Sequence, residues 1–420
     1  MHLTHRKSCR ICGSTSLRRV IDLGPQHLQG SFVKPGDEAP PMRRIPCVLV
    51  RCDPTSDENA CGLLQMEHSV PPEILYSSYW YRSGTNQTMR DHLSGMATSA
   101  RELVRKKSGA ALDIGCNDGT LLKNYPKNWR RVGIDPSDIA QEISGGIEVI
   151  QDVFPSAELL RRHARLKFDV ITSIAMFYDL EQPTEFVRQI QRWLAPDGVW
   201  IVEMSYMPSM LEMNSYDTIC HEHLEYYSLS VIENILRRAE LKVFRAELNP
   251  INGGSIRCYV THAGSSAHRA EEWAAGVKKL RRLEFDLELD TDKPYKSFQD
   301  RINLHRDELV ALLRRLKREG KRIHIYGAST KGNTILQWCN LDSRIIDCAA
   351  ERNPDKFGAF TLGTEIPIIS EADSRALKPD YYLVLPWHFK AEFMAREQAM
   401  LEQGTGFIFP LPTIEVIKAK

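Results

Sequence analysis

Residues 111–137 constrain the fold more than any other stretch. They read ALDIGCNDGTLLKNYPKNWRRVGIDPS. An apolar strand runs into a loop bracketed by Gly115 and Gly119, TLLKNY starts a helix, and a second strand ends at Asp135. Glycines at these places remove the Cβ and let the backbone approach a ligand. Asp113, at the end of the first strand, suits a cofactor amino group or an ordered water. Asp135, at the end of the second, suits a pair of ribose hydroxyls. A dinucleotide site would carry G-x-G-x-x-G, whereas here the spacing is G-x-x-x-G. An acid two residues before the first glycine also fits a cationic amino acid better than a pyrophosphate. The pattern therefore predicts an S-adenosylmethionine loop, with Asp113, Gly115, Asn117, Asp118, Gly119, Asp135 and, in the next strand FDVITSI, Ser173 as cofactor contacts. The plain alternative is an ordinary strand-to-helix turn of an unrelated α/β protein.

The surrounding chain repeats this alternation. ALDIG, RRVGID, FDVITSI and GVWIVEM are apolar runs separated by helical stretches such as TEFVRQIQRWLAP, the signature of a mainly parallel sheet. KVFRAEL and SIRCYVTHA read as late strands that close the sheet. Two amphipathic helices, AEEWAAGVKKLRRLEFDL and RDELVALLRRLKREGK, follow, broken at DTDKPYKS, and are expected to bridge two domains. A second α/β unit then starts at RIHIYGASTKGN. With 420 residues the chain exceeds one ordinary core. The expected division is a small N-terminal domain at 1–75, a Rossmann-like cofactor domain at 76–265, and a helical linker with a second Rossmann-like domain at 266–420.

Five of the ten cysteines lie before residue 62: Cys9, Cys12, Cys47, Cys52 and Cys61. Without an export signal, clustered cysteines point to metal rather than to disulfides. Cys9 and Cys12, in C-R-I-C, form one half of a structural zinc site. Cys52 and Cys61 are the expected second half, with Cys47 as the competing fourth ligand. Free buried thiols are the alternative.

Two further stretches carry chemistry. YDTICHEHLEYYS, residues 216–228, is dense in His, Glu and Tyr. It is no zinc-protease motif, because its histidines stand at i and i+2. On an extended segment that spacing puts His221 and His223 on one side and Glu222 on the other. A satisfied polar cluster at a domain junction would look the same. GASTKGN, residues 327–333, joins a strand to a helix and is expected to offer backbone N–H groups to an anion. Lys331 would add charge for a diphosphate, beside Asn333. Trp387 and His388 follow a strand end, where open-sheet ligands sit. Lys331 as a surface residue and Trp387 as core are the bland readings.

Taken in order, C-R-I-C, DIGCNDG, the HEH at 221–223, NGGS at 252–255, GASTKGN and LPWHF at 385–389 resemble the sugar C-methyltransferases that act on nucleotide-linked deoxy-keto-sugars, including the tetronitrose-type enzymes. The likeness spans nearly the whole chain. It implies a nucleotide-sugar substrate, with the C-terminal domain helping to hold it. It implies His223 as the base, Glu222 as its tuning neighbour and Tyr81 as a hydrogen-bond donor to sugar or enolate oxygen. It places His221, Cys220, Asp179, Lys331, Asn333, Trp387 and His388 around the substrate. Two positions depart from the family: Cys220 stands where the tetronitrose-type enzymes have Tyr, and Asp179 where the family has His. The substrate and the methylated atom are the features those departures touch.

Three other functions compete: sugar O-methylation, a zinc-ribbon RNA methyltransferase, and a non-catalytic binding protein with a retained cofactor fold. A net charge of +1 gives no general attraction to nucleic acid or anionic lipid. No apolar run approaches a membrane span. The expectation is a cytoplasmic protein with no nucleic-acid or membrane partner, as a monomer or a dimer.

Overall fold

The computed structural model describes residues 3–37, 43–75 and 82–419; Tyr81 lies outside them. The N-terminal part contains β1 (Thr4–His5), β2 (Leu17–Gln26), β3 (Phe32–Val33), β4 (Ile45–Cys52), β5 (Leu64–Met66) and β6 (His68–Ser69). Its centre is β4, IPCVLVRC, which is buried at all but one position and paired antiparallel with β2 and β5.

The central part begins with the helix Gln87–Val104, whose N-terminus is closed by the Asn86 side chain accepting from Thr88 N. There follow β7 (Ala110–Ile114), β8 (Arg130–Ile134), β9 (Glu148–Ile150), β10 (Phe168–Ile174), β11 (Leu194–Ser205), β12 (Glu225–Tyr226), β13 (Leu241–Asn249) and β14 (Ser255–His262). Seven of these form one sheet in the order β13-β14-β11-β10-β7-β8-β9. β7 to β11 pair in parallel, and β14 runs antiparallel between β11 and β13. Every residue of β7 is buried, as expected for a parallel strand covered on both faces. Because β7 has β8 on one side and β10 on the other, the direction of winding reverses there. A crevice opens beyond its carboxyl end.

One expected element is absent. TLLKNY does not start an α-helix; residues 122–124 make a single 3-10 turn, and Tyr125 is extended at φ −81°, ψ 142°. Pro126 is the reason, since its ring disfavours the helical region for the residue before it.

The helices Glu271–Asp286 and Lys293–Arg318 follow. Val277 and Leu280 of the first pack into the core of the central sheet. Tyr295, Phe298, Ile302, Leu309, Leu313 and Leu316 of the second pack into the C-terminal core. The C-terminal sheet comprises β15 (Ile323–Tyr326), β16 (Cys348–Glu351), β18 (Ile368–Ser370), β19 (Tyr381–Val384), β20 (Gly406–Phe409) and β21 (Glu415–Ile417), with the short β17 (Phe360–Thr361) outside it. Its order is β18-β16-β15-β19-β20-β21, so its own reversal point lies at β15.

The N-terminal part is no appendage. β12 of the central part extends its sheet by pairing with β5. β17 of the C-terminal part pairs with β3. Ile21, Leu23, Cys47, Leu49, Leu64 and Met66 share one core with the C-terminal sheet and with residues 207–226. The HEH segment is thus held where all three parts meet.

Candidate functional site

At the first crevice the backbone does what the glycine spacing requires. Gly115, Asn117 and Gly119 have φ of +76°, +49° and +72°, the left-handed region that glycine occupies without penalty. A Cβ on Gly115 would stand 3.1 Å from Met176 Cγ. Asp135 accepts from Asn117 N at 2.8 Å and from Ser137 N at 2.8 Å, which holds the loop against the second strand. Ser137 Oγ donates at 2.5 Å to Oδ1, the oxygen that also takes Ser137 N; each carboxylate oxygen has two lone pairs, so one on Oδ2 is left for a ribose hydroxyl. Asp113 is buried and accepts from Thr172 Oγ1 at 2.6 Å. Burial, reinforced by Asp135, pushes its carboxyl up to about 7. These groups fit S-adenosylmethionine: a glycine cradle, an acid for the ribose, and a second acid below the loop.

Two details were not visible in the sequence. Ser83 N donates to Asn117 Oδ1 at 2.9 Å, and Gly84 N to Asp118 Oδ2 at 2.7 Å. The turn before the helix Gln87–Val104 therefore closes over the loop, so Asn117 and Asp118 hold protein as well as facing the crevice. Ser173 is displaced from its expected role. It is fully buried, and its hydroxyl accepts from Trp200 Nε1 at 3.2 Å. Side chains alternate along β10, so Thr172 faces Asp113 and Ser173 the opposite layer.

The sulfurs of Cys9, Cys12, Cys52 and Cys61 all lie within 4.8 Å of one another. Cys9 and Cys61 are 3.5 Å apart, Cys12 and Cys52 3.4 Å. A disulfide needs ~2.05 Å; four thiolates at ~2.3 Å from a tetrahedral zinc ion stand ~3.8 Å apart. The set fits one zinc ion, and Ile11 N points at Cys9 Sγ from 3.4 Å. Cys47 is elsewhere: it is fully buried, and its thiol donates to Ile219 O at 3.7 Å. Between the first two cysteines, Arg10 is buried and donates to Gln65 Oε1, Met66 O and Ser69 Oγ at 3.1, 3.0 and 2.6 Å. Its Nε lies 3.5 Å from Glu225 Oε1. The metal-binding turn is thereby tied to the strand that follows the HEH segment.

That segment is not extended. His223 N bonds Cys220 O at 3.1 Å, closing a tight turn that sends the two histidines apart. His221 is buried against the N-terminal part, with Nδ1 2.7 Å from Gln29 Oε1. Burial lowers it to about 4. Cys220 is likewise fully buried, its thiol pushed well up by desolvation. Neither lines the cleft.

His223 and Glu222 are only half-buried. His223 Nδ1 is 2.7 Å from Thr218 O. A carbonyl only accepts, so Nδ1 carries the hydrogen and Nε2 the lone pair. Its ring lies 4.4 Å from that of Tyr178, and both border a small cavity with Tyr206 and Met210. Burial, then the Lys331 charge, lowers His223 to about 3, so it is neutral at pH 7. Glu222 Oε1 lies where Gly30 has no side chain; a Cβ there would be 2.0 Å away. Burial raises the Glu222 carboxyl. It raises Asp179 well above the usual range, with the charges of Glu222 and Glu225 adding to the effect.

The C-terminal part supplies the cation. Lys331 is half-buried, and its Nζ donates to Asn252 O at 2.7 Å. Burial lowers its pKa, and the nearby charges of Asp217 and Cys220 oppose that. Asp217 in turn accepts from Trp387 Nε1 at 2.9 Å, and Gly253 packs on the same indole, where a Cβ would stand 3.0 Å from Cζ2. Trp387 is therefore buried scaffold. His388 is half-buried; desolvation, then Lys331, lowers it to about 3. Asn333 is also spoken for: it is buried and donates Nδ2 to Gln29 O at 2.6 Å. The expected anion loop is partly consumed as well. Ala328 N goes to Glu351, Gly332 N to Ser329 Oγ and Asn333 N to Ser329 O.

The structure thus couples Asp179 electrostatically to Glu222, and Lys331 to both His223 and His388. It withdraws Cys220, His221, Asn333 and Trp387 into the packing behind them. Gln29, Gly30, Thr218 and Tyr178 join the site unannounced, because their neighbours are remote in sequence. Of these, only the glycine in LQGSF was a signal in its own right.

Three family models match consecutive stretches of the chain. The first, described as "Putative zinc binding domain", covers residues 9–76. A methyltransferase domain covers 81–246, and a C-methyltransferase C-terminal domain covers 250–412. C-methyltransferase NovU of Streptomyces niveus is 28% identical over 422 residues, covering 98% of this chain and 97% of that protein. Malonyl-[acyl-carrier protein] O-methyltransferase of Halalkalibacterium halodurans is 27% identical over 145 residues, 32% of this chain and 53% of that protein. Among solved structures, an S-adenosylmethionine-dependent methyltransferase from Clostridium acetobutylicum covers 46% of this chain and 96% of its own, at 12% identity and a TM-score of 0.34.

Proposed function

We propose that the chain is an S-adenosylmethionine-dependent C-methyltransferase whose acceptor is a nucleotide-linked keto-deoxysugar, methylated at a carbon beside the keto group. We read residues 1–75, 76–265 and 266–420 as the metal-binding, cofactor and substrate-holding domains. The observation that carries the reading is His223, its Nδ1–H given to Thr218 O and its ring bordering a small cavity beside Tyr178.

Methylating carbon needs a carbon nucleophile, and the accessible proton is the one next to the ketone. His223 Nε2 takes that proton, and the C–H electron pair becomes the enolate. The loop Gly115–Gly119 and Asp135 would hold S-adenosylmethionine, which would supply an electrophilic sulfonium methyl group for the new C–C bond. Protonating His223 beside Lys331 is unfavourable in the resting site. As negative charge grows on the enolate oxygen, Lys331 turns from an obstacle into a stabiliser. Asp179 and Glu222, whose carboxyls burial raises, are the groups proposed to hydrogen-bond the sugar. His388 and Lys331 face the nucleotide side. Tyr81 keeps its proposed place as a donor to sugar or enolate oxygen. Cys9, Cys12, Cys52 and Cys61 hold a structural zinc ion, which through Arg10 keeps β12 and hence His223 in register.

The test is His223→Gln against a panel of nucleotide-linked keto-sugars, with product read by carbon-13 NMR. Expected is loss of turnover with cofactor binding intact, and in the parent protein a new methyl carbon bonded to carbon. Unchanged turnover would remove His223 as the base; a methyl bonded to oxygen would refute carbon transfer.

A further inference from the structure

We propose that His5, Glu67 and His68 form a second, exchangeable site for a divalent transition-metal ion such as zinc. The site is separate from the four cysteines and independent of the methyl-transfer chemistry.

The register of the two-stranded sheet puts His5 directly opposite His68. Their rings stack at 5.0 Å between centroids. Glu67 stands beside them, 5% exposed. One donor atom from each of the three falls within 4.8 Å of the others. Glu67 Oε1 is 3.7 Å from His5 Nε2, and Oε2 is 3.6 Å from His68 Nδ1. These separations are too long for hydrogen bonds. They are close to the ~3.0–3.6 Å between ligands that each stand ~2.0–2.2 Å from one ion.

The second observation is an unmet need. Glu67 Oε2 and His68 Nδ1 are both buried and face each other, and neither has a hydrogen-bond partner among the described residues. A buried carboxylate oxygen and a ring nitrogen left this way cost free energy. A cation between them would satisfy both. Two imidazoles and a carboxylate suit zinc, copper, nickel or cobalt rather than magnesium or calcium.

The surroundings also predict lability. Three protein ligands leave a coordination position to water. The His5 side chain is 51% exposed, which gives an ion a way in and out. Arg19 Nε lies 2.6 Å from Glu67 Oε1, so its charge both competes for the carboxylate and repels a cation. A repulsion of about 2 kcal/mol between a divalent ion and an exposed unit charge near 4 Å is about a thirtyfold loss of affinity. When bound, the ion would cross-link β1, held to β6 by only two paired positions, to the metal-binding part.

The experiment is cobalt(II) titration of the full-length, tag-free apo chain, with zinc stoichiometry measured in parallel. Two equivalents are expected. The first gives the intense charge-transfer absorption of thiolate ligands and resists a weak chelator. The second adds only weak visible bands and is removed by it. His5→Ala and His68→Ala should each abolish the second equivalent and leave the thiolate band, which also reports that the variant is folded. Arg19→Gln should tighten the second site by up to about thirtyfold. Saturation at one equivalent in the parent chain would overturn the proposal. So would a second equivalent that survives in the double His5→Ala, His68→Ala variant.

Discussion

Gly30→Ala tests the packing that positions the HEH segment. The backbone at Gly30 has no positive φ, so alanine is conformationally acceptable there. The cost lies in space: the new Cβ would sit 2.0 Å from Glu222 Oε1 and 3.2 Å from its Cδ. A real contact needs more than 3 Å, so the carboxylate must retreat by about an ångström or more. The atom that must move is the far end of a flexible side chain, which puts the loss of stability at the low end of the ~1–3 kcal/mol typical of overpacking. The next neighbour, Thr330 Oγ1 at 3.4 Å, is in ordinary contact. Removing the carboxylate should therefore remove the cost. The assay is a double-mutant cycle with Glu222→Ala, using urea unfolding and cofactor binding by calorimetry. Gly30→Ala should destabilise the parent by about 1 kcal/mol or more, and the Glu222→Ala background by a few tenths at most. Cofactor affinity should not change, because the clash is remote from the glycine loop. Methyl transfer should fall at least tenfold, since Glu222 leaves its place beside His223. A coupling energy below ~0.5 kcal/mol, or full activity in Gly30→Ala, would refute the contact and the role built on it.

Cys61→Ser should lose tightly bound zinc and Cys47→Ser should keep it, as read by metal analysis of the purified chains; the reverse would move the fourth ligand. Asp135→Ala removes the acceptor of Asn117 N and Ser137 N and should weaken S-adenosylmethionine binding at least tenfold, about 1.4 kcal/mol, by calorimetry. Burial and Lys331 lower His223 to about 3, so its imidazole stays neutral as pH falls from 8 to 5 and takes up its proton only well below the ordinary histidine range. Nitrogen-15 NMR of labelled histidines, assigned by the loss of one signal in His223→Gln, should show a fixed Nδ1–H tautomer across that range; titration near pH 6.5 would contradict the geometry.

The sequence alone determined whatever depends on neighbours a few positions away. Gly115 and Gly119 announced a left-handed loop, because only glycine takes that conformation without penalty. Alternating apolar runs announced a parallel sheet, and Cys9 and Cys12 half of a zinc site. The sequence could not choose between Cys47 and Cys61. The choice rests on where β4 and the loop after it bring each sulfur, and β4 buries Cys47 on the far side. Local pattern also misjudged three details. Pro126 cut the expected helix to one turn, the strand pleat turned Ser173 away from the crevice, and the turn at Cys220–His223 replaced an extended segment. Beyond these, tertiary structure alone decided which polar residues face the cleft. Lys331 and Asn333 stand two apart on one helix, yet one is held by Asn252 at the cleft and the other is bonded to Gln29 in the packing. Their roles depend on chain segments some eighty and three hundred residues away, and no local spacing encodes a contact of that range. The glycine loop itself was legible from the start. That it is closed over by Ser83 and Gly84, and that the segment carrying His223 is packed by all three parts of the chain, required the fold.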